Sequence, residues 1–206
     1  MLKKLLIFTI ILLVSGFYIQ HLASNYIERE MKDKLSRMPD IILDNIEYSE
    51  NSVVIYNIIP ILAIIILIYM IIKNKRYDSL PYYVFLFGLM QWVRGFFIIQ
   101  TPALDPSPIG FNPESLKVIL ALPQQGFYPS GHTVTVFLSM LLVNSIESIK
   151  HFLRRGFTLI MIGFVVGEGI SLLYGFGHYS VDISAAIFIT YAVYVFSERY
   201  LKRFFT

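Results

Sequence analysis

Two short polar stretches, Tyr128-Pro129-Ser130-Gly131-His132-Thr133 and Gly177-His178-Tyr179-Ser180-Val181-Asp182, each carry a histidine at the mouth of a long apolar run. Histidine changes charge near neutral pH and serves as nucleophile, acid or base. His178 and Asp182 are spaced i, i+4, which on a helix puts them on one face. A carboxylate hydrogen-bonded to one imidazole nitrogen fixes the tautomer and leaves the other nitrogen to attack an electrophile such as phosphorus. Asp182 opens an apolar run, where an unpaired carboxylate costs several kcal/mol. A partner is therefore expected, and His178 is the nearest. The plainer alternative is that Asp182 caps a helix beside an incidental histidine.

Pro129 ends a loop, and Ser130 or its neighbours can cap the helix that follows. A helix N-terminus presents unpaired N–H groups and a positive dipole end, which favour an anion. Gly131 allows the backbone to approach a phosphate closely. His132, in the first turn, can then give a proton to a leaving oxygen; the alternative is an interfacial histidine that only snorkels. Arg94 lies in the outer half of an apolar run, where arginine is expensive and usually functional. Its planar guanidinium suits bidentate phosphate binding, against the alternative of snorkelling to the interface. Together these residues suggest a phosphoryl-transfer site. Glu168, deeper in another run, reads as packing or pairing inside a helix bundle. His21 and His151 fall near run ends without companions and read as structural. A third ligand to complete a two-histidine zinc site is not apparent, so no metal or other cofactor is expected.

These residues must be positioned by membrane-spanning helices. The chain has 206 residues, 56% of them hydrophobic, and a mean hydropathy of +0.64. That is too apolar for an ordinary soluble domain. The absence of cysteine excludes disulfides and thiolate chemistry. The net charge of +3 sits in short clusters between apolar runs, with no basic patch for nucleic acid. About 20 apolar residues cross a bilayer as a helix. Six runs fit: Leu5 to Ala23, Val53 to Ile72, Tyr82 to Gln100, Thr133 to Ile149, Phe157 to Gly175 and Ile183 to Tyr200. The expected fold is all-α and polytopic, with six transmembrane helices. Residues 1–52 form an N-terminal anchor and outer segment, and residues 53–206 a catalytic membrane domain. The first run reads as an uncleaved anchor rather than a signal peptide cut near Leu22-Ala23-Ser24.

Basic residues set the orientation. Lys3, Lys4, Lys73, Lys75, Arg76, Lys150, Arg154, Arg155, Arg199, Lys202 and Arg203 fall on one set of connections. That side should be cytoplasmic by the positive-inside rule. Both termini are then cytoplasmic and both histidine stretches extracytoplasmic. In the first outer segment, Ile27, Met31, Leu35 and Met38 recur at helical spacing, which predicts a short amphipathic helix on the membrane surface. A solvated spacer is the alternative. In the second, Asn112-Pro113-Glu114 starts a short apolar stretch, which predicts a re-entrant or interfacial helix before span four.

Tyr-Pro-Ser-Gly-His-Thr and His-Tyr-Ser-Val-Asp resemble the two histidine motifs of the type 2 phosphatidic acid phosphatase superfamily. Ser130-Gly131-His132-Thr133, His178 to Asp182, Arg94-x6-Thr101 and Met38-Pro39-Asp40 look like its sphingomyelin synthase branch. The resemblance implies that His178 attacks phosphorus with Asp182 orienting it. His132 would serve as acid and then base, and Arg94, Ser130 and Gly131 would hold the phosphoryl oxygens. It implies a membrane phospholipid substrate and an acceptor that is a lipid alcohol (diacylglycerol or ceramide) in a synthase, or water in a phosphatase. A non-catalytic lipid-binding or transport protein that kept the motifs is the remaining reading. The chain departs from the family in four places. It lacks Lys-x6-Arg-Pro, and Leu172 follows Ser171 where the family has arginine. Gln124-Gln125-Gly126 stand where the branch has Cys-Gly-Asp, and Gln91 stands in place of a tyrosine.

Overall fold

The computed structural model describes residues 2–31, 34–104, 106, 128–146 and 151–205. Among these every regular element is helical. The six main helices are α1 (Leu2–Tyr26), α2 (Glu50–Lys73), α3 (Leu80–Gln100), α4 (Gly131–Asn144), α5 (His151–Tyr174) and α6 (Ser180–Phe196). In hydrocarbon each backbone N–H and C=O must find its partner within the segment, so apolar runs of this length resolve as helices. Five of the helices are long and apolar enough to cross a membrane, and α4 is a shorter apolar helix. The protein is thus a multi-pass membrane protein.

Helix α4 is the centre of the bundle. It packs against α2, α5, α6 and α3, and Val134, Val136, Leu138, Leu142 and Val143 on it are fully buried. The apolar run continues to Ile149, yet the helix stops at Asn144. Asn144 accepts a hydrogen bond from Thr158, and Ser145 turns its hydroxyl back to the Leu142 carbonyl at 2.8 Å. Asparagine and serine compete with the helix backbone in this way and favour its ends. At 14 residues, α4 is about 21 Å long, well short of the roughly 30 Å hydrocarbon core.

Helices α1 and α3 run parallel in close contact. A methyl group at Gly16 would lie 2.7 Å from Cβ of Gln91, one at Gly88 3.0 Å from the Leu13 nitrogen, and one at Gly95 2.6 Å from the Ile19 side chain. Small residues allow such approach between membrane helices, where packing rather than the hydrophobic effect drives association.

Among the described residues, the amphipathic helix expected on the membrane surface is not seen as a separate element. Ile27–Met31 continues α1 as a π-helical turn, and residues 35–40 have no helical structure. Ile27 packs with Ala23 of α1 and Ile98 of α3, with Met31 and Leu35 against them. These apolar residues are therefore used in the bundle, and Pro39 cannot donate to a helical ladder. The helix expected at 112–122 lies outside the described residues.

Candidate active site

The start of α4 is built as the sequence suggests. Ser130 is the N-cap, and its hydroxyl oxygen accepts from the Thr133 N–H at 3.3 Å and from the Thr133 hydroxyl at 3.2 Å. The Ser130 N–H in turn donates to the Asp182 carbonyl at 3.1 Å, joining the two histidine stretches through their backbones. The His132 and His178 rings meet edge to face with centroids 6.0 Å apart. Tyr56 of α2 also meets His132 edge to face, with ring centroids 5.4 Å apart.

His178 does not lie on a helix. It precedes α6, whose N-cap is Tyr179. The Asp182 carboxylate reaches back around the helix start. Its Oδ2 accepts from the Tyr179 N–H at 3.1 Å and lies 3.3 Å from Nδ1 of His178. The expected pair is present, but as a helix-start contact rather than along one helix face. Asp182 is both the cap of the alternative reading and the partner of His178. The other oxygen, Oδ1, is buried and has no hydrogen-bond partner among the described residues.

The turn that delivers His178 comes from the end of α5. The Gly177 N–H donates to the Leu172 carbonyl at 2.8 Å and the Phe176 N–H to that of Leu173 at 3.0 Å, the pair of bonds that closes a Schellman turn. Its left-handed residue is Phe176, at φ 46°, a position that glycine occupies at less cost. The ring of Phe176 stacks on Tyr48 at 5.8 Å, in a small core with Leu43, Ala103 and Tyr179. The neighbouring Gly175 is needed for space, since a methyl there would meet the Tyr56 ring at 2.7 Å.

Arg94 is held by three neutral acceptors. Nε donates to the Pro129 carbonyl at 2.9 Å, and Nη1 to Oε1 of Gln20 at 2.6 Å and of Gln91 at 3.3 Å. Nη2 forms no hydrogen bond, and Arg94 no ion pair, among the described residues. The guanidinium lies on Gly131, where a methyl would come within 2.6 Å of Cζ. Gly131 was expected to leave room for phosphate; the space its missing side chain leaves is taken by Arg94.

Asp40 ties the first connecting segment to this site. Its Oδ2 accepts from the Ser180 N–H at 2.6 Å, and its Oδ1 from Ile42 and Leu43 N–H at 3.0 and 3.2 Å. Burial by itself would raise the pKa of this carboxyl. The bonds from Ser180, Leu43 and Ile42 outweigh burial and hold it below its ordinary value of 3.8. The buried Tyr179 hydroxyl accepts from the Met38 N–H at 3.2 Å and donates to the Leu104 carbonyl at 2.9 Å. Beside it, Met38, Asp40, Asp44, Tyr179 and Val181 line an open cavity of about 600 Å³.

The structure thus brings His132, His178, Asp182, Ser130, Gly131 and Arg94 together. Gln20 and Tyr56 were not foreseen, although a glutamine inside an apolar run is a visible signal. Glu168 is fully buried, and both its carboxylate oxygens lack partners among the described residues. Of the two readings, packing or pairing, burial in the bundle is what the described residues show for it. His21 pairs locally with Asn25 at 2.9 Å, and the side chain of His151 lies outside the described residues. Comparison with curated proteins gives no match. Residues 128–199, which hold both histidines and Asp182 but not Arg94 or Gln20, match the family model of the PAP2 superfamily C-terminal domain.

Proposed function

We propose that this protein is an integral membrane phosphotransferase that moves a phospholipid headgroup to a lipid alcohol through a phosphohistidine intermediate. The observation that carries the proposal is the facing pair of His132 and His178, 6.0 Å apart at their centroids, with Asp182 on Nδ1 of His178.

With Nδ1 given to Asp182, attack falls to Nε2 of His178. The N–P bond forms as the bond from phosphorus to the lipid oxygen breaks. His132, protonated, gives its proton to that departing oxygen and is left neutral. The acceptor hydroxyl then loses its proton to His132 and its oxygen attacks phosphorus. The P–N bond breaks and both histidines return to their starting states. Arg94 and the N-terminus of α4 stabilise charge on the phosphoryl oxygens. The family match supports lipid phosphate chemistry. The resemblance of Arg94-x6-Thr101 and Met38-Pro39-Asp40 to the sphingomyelin synthase branch supports diacylglycerol or ceramide as acceptor. Lys-x6-Arg-Pro and the arginine after Ser171 are both missing, so the chain departs from the ordinary hydrolases of the superfamily, with Arg94 in the phosphate-binding role. We place the site on the extracytoplasmic side, with both termini cytoplasmic.

The test is turnover by purified protein in mixed micelles. Labelled phosphatidate, phosphatidylcholine and phosphatidylethanolamine are offered with and without ceramide or diacylglycerol. Headgroup transfer that requires the acceptor is expected. Free phosphate with no acceptor requirement would reassign the protein as a lipid phosphate phosphatase. His178→Ala and His132→Ala should each lower turnover by about 10²-fold or more. Unchanged turnover in either would overturn its role. No turnover on any lipid would leave the non-catalytic reading.

A further inference from the structure

We propose that Gln20, on the first helix, is a positioning residue for Arg94, and that α1 is therefore part of the anion-binding machinery. The proposal rests on reading Arg94 as the cation that holds phosphate.

Gln20 is 6% exposed and reaches Arg94 from a different helix. Its Nε2 donates to the side-chain oxygen of Gln91 at 2.6 Å and to the Gln91 backbone carbonyl at 2.9 Å. Its Oε1 accepts from Nη1 of Arg94 at 2.6 Å. Both ends of the amide are thus committed in one orientation. Turned over, it would set donor against guanidinium donor and acceptor against two acceptors. A carboxylate cannot donate to Gln91, and an aliphatic chain can do neither. The close approach of α1 and α3 at Gly16 and Gly95 is what gives Gln20 this reach.

The arrangement also has an electrostatic meaning. Arg94 is fixed at Nε and Nη1 by a carbonyl and two amides, all neutral. The Asp182 carboxylate acts on the charge of Arg94 through space, but no carboxylate among the described residues forms an ion pair with it. A guanidinium inside a span is costly without an anion in direct contact with it. An anionic ligand on the Nη2 edge would supply one. A carboxylate at position 20 would supply it from within the protein and compete with the ligand.

The experiment uses the full chain in detergent micelles, with inorganic phosphate as the probe and chloride at matched ionic strength as reference. Binding to the native state raises the unfolding temperature with ligand concentration. Wild type and Leu22→Ala, a change at an exposed position of α1, should show this rise. Gln20→Met keeps the bulk and loses all three hydrogen bonds, the one from Arg94 included; its phosphate affinity should fall by about tenfold, the weight of one hydrogen bond to a charged group. Gln20→Glu should abolish the phosphate response while unfolding cooperatively. Were Gln20→Glu too unstable to measure, Gln20→Met decides. Wild-type phosphate affinity in Gln20→Met or in a folded Gln20→Glu overturns the proposal, as does a wild type that does not respond to phosphate. A protein that responds to phosphate through Gln20 but turns over no lipid keeps this inference and rejects the transferase reading.

Discussion

Gly131 shows how a single missing side chain sets the chemistry. A methyl there would stand on the Arg94 guanidinium, and that group is pinned by Pro129, Gln20 and Gln91 and has little room to yield. We expect Gly131→Ala to mimic the loss of Arg94: weaker phosphate binding by about tenfold or more, with cooperative unfolding retained. Phosphate-dependent unfolding temperatures check this, and unchanged affinity would show that the arginine can move aside harmlessly. At this scale much was legible in the sequence. His132, His178, Asp182 and Arg94 stand out because polar groups at the edge of, or within, apolar runs need partners. What could not be read was which partner each would take. Gln20 meets Arg94 only because two helices lie parallel in contact. Even the correct pair, His178 with Asp182, was reasoned from a helix face that His178 does not occupy.

Between elements, the main device is Asp40. One carboxylate bonds N–H groups on its own turn and the first N–H of α6. It thereby fixes the start of the helix on which Asp182 turns back to His178. We expect Asp40→Ala to destabilise the protein by about 2 kcal/mol, the scale of a hydrogen bond to a charged group, and to lower activity by misplacing His178. The pH dependence has a definite sign. The Asp40 pKa in the native state lies below its ordinary 3.8. Its stabilisation is therefore complete above that value and disappears as pH falls through the native pKa. The stability gap between wild type and Asp40→Ala should be flat from pH 7 to about 5 and close only in strong acid. A gap that closed near neutrality would assign the effect to another group. Among the described residues the six main helices were foreseen to within about six residues at each end, α4 stops early, and the stretch expected as a surface helix continues α1 and then loses helical structure. Hydropathy reports how far an apolar run extends, while Asn144 and Ser145 decide where the helix inside it ends. Likewise, the spacing of Ile27, Met31 and Leu35 reveals an apolar stripe but not whether lipid or α3 will cover it.

For the molecule as a whole, the order of helices puts the basic connections at one end of the bundle and the histidine stretches at the other. The chain contains no cysteine, so single introduced thiols report sidedness without background. Ile41→Cys, at a position 82% exposed, should react with an impermeant maleimide added to intact cells. Tyr77→Cys, at the opposite end, should react only after permeabilisation. The reverse pattern would invert the proposed topology. The charge pattern along the sequence was enough to pose this question, because orientation depends on where lysine and arginine fall between spans. Packing within the bundle needed coordinates.

The brevity of α4 has one more consequence. Its first turn contacts Arg94 through Pro129 and Gly131, and Arg94 is six residues before the end of α3 at Gln100, a descent of about 9 Å. On the proposed function, a lipid phosphate that engages both would sit below the end of α3, drawing its glycerol toward the hydrocarbon. The bilayer would then be a rate-setting partner. Where acyl chains are short, less of that journey has to be made against the hydrocarbon. In vesicles of stepped chain length at fixed headgroup composition, turnover should rise as the membrane thins. A rate indifferent to thickness would mean that the lipid reaches the histidines sideways, between helices, without sinking at all.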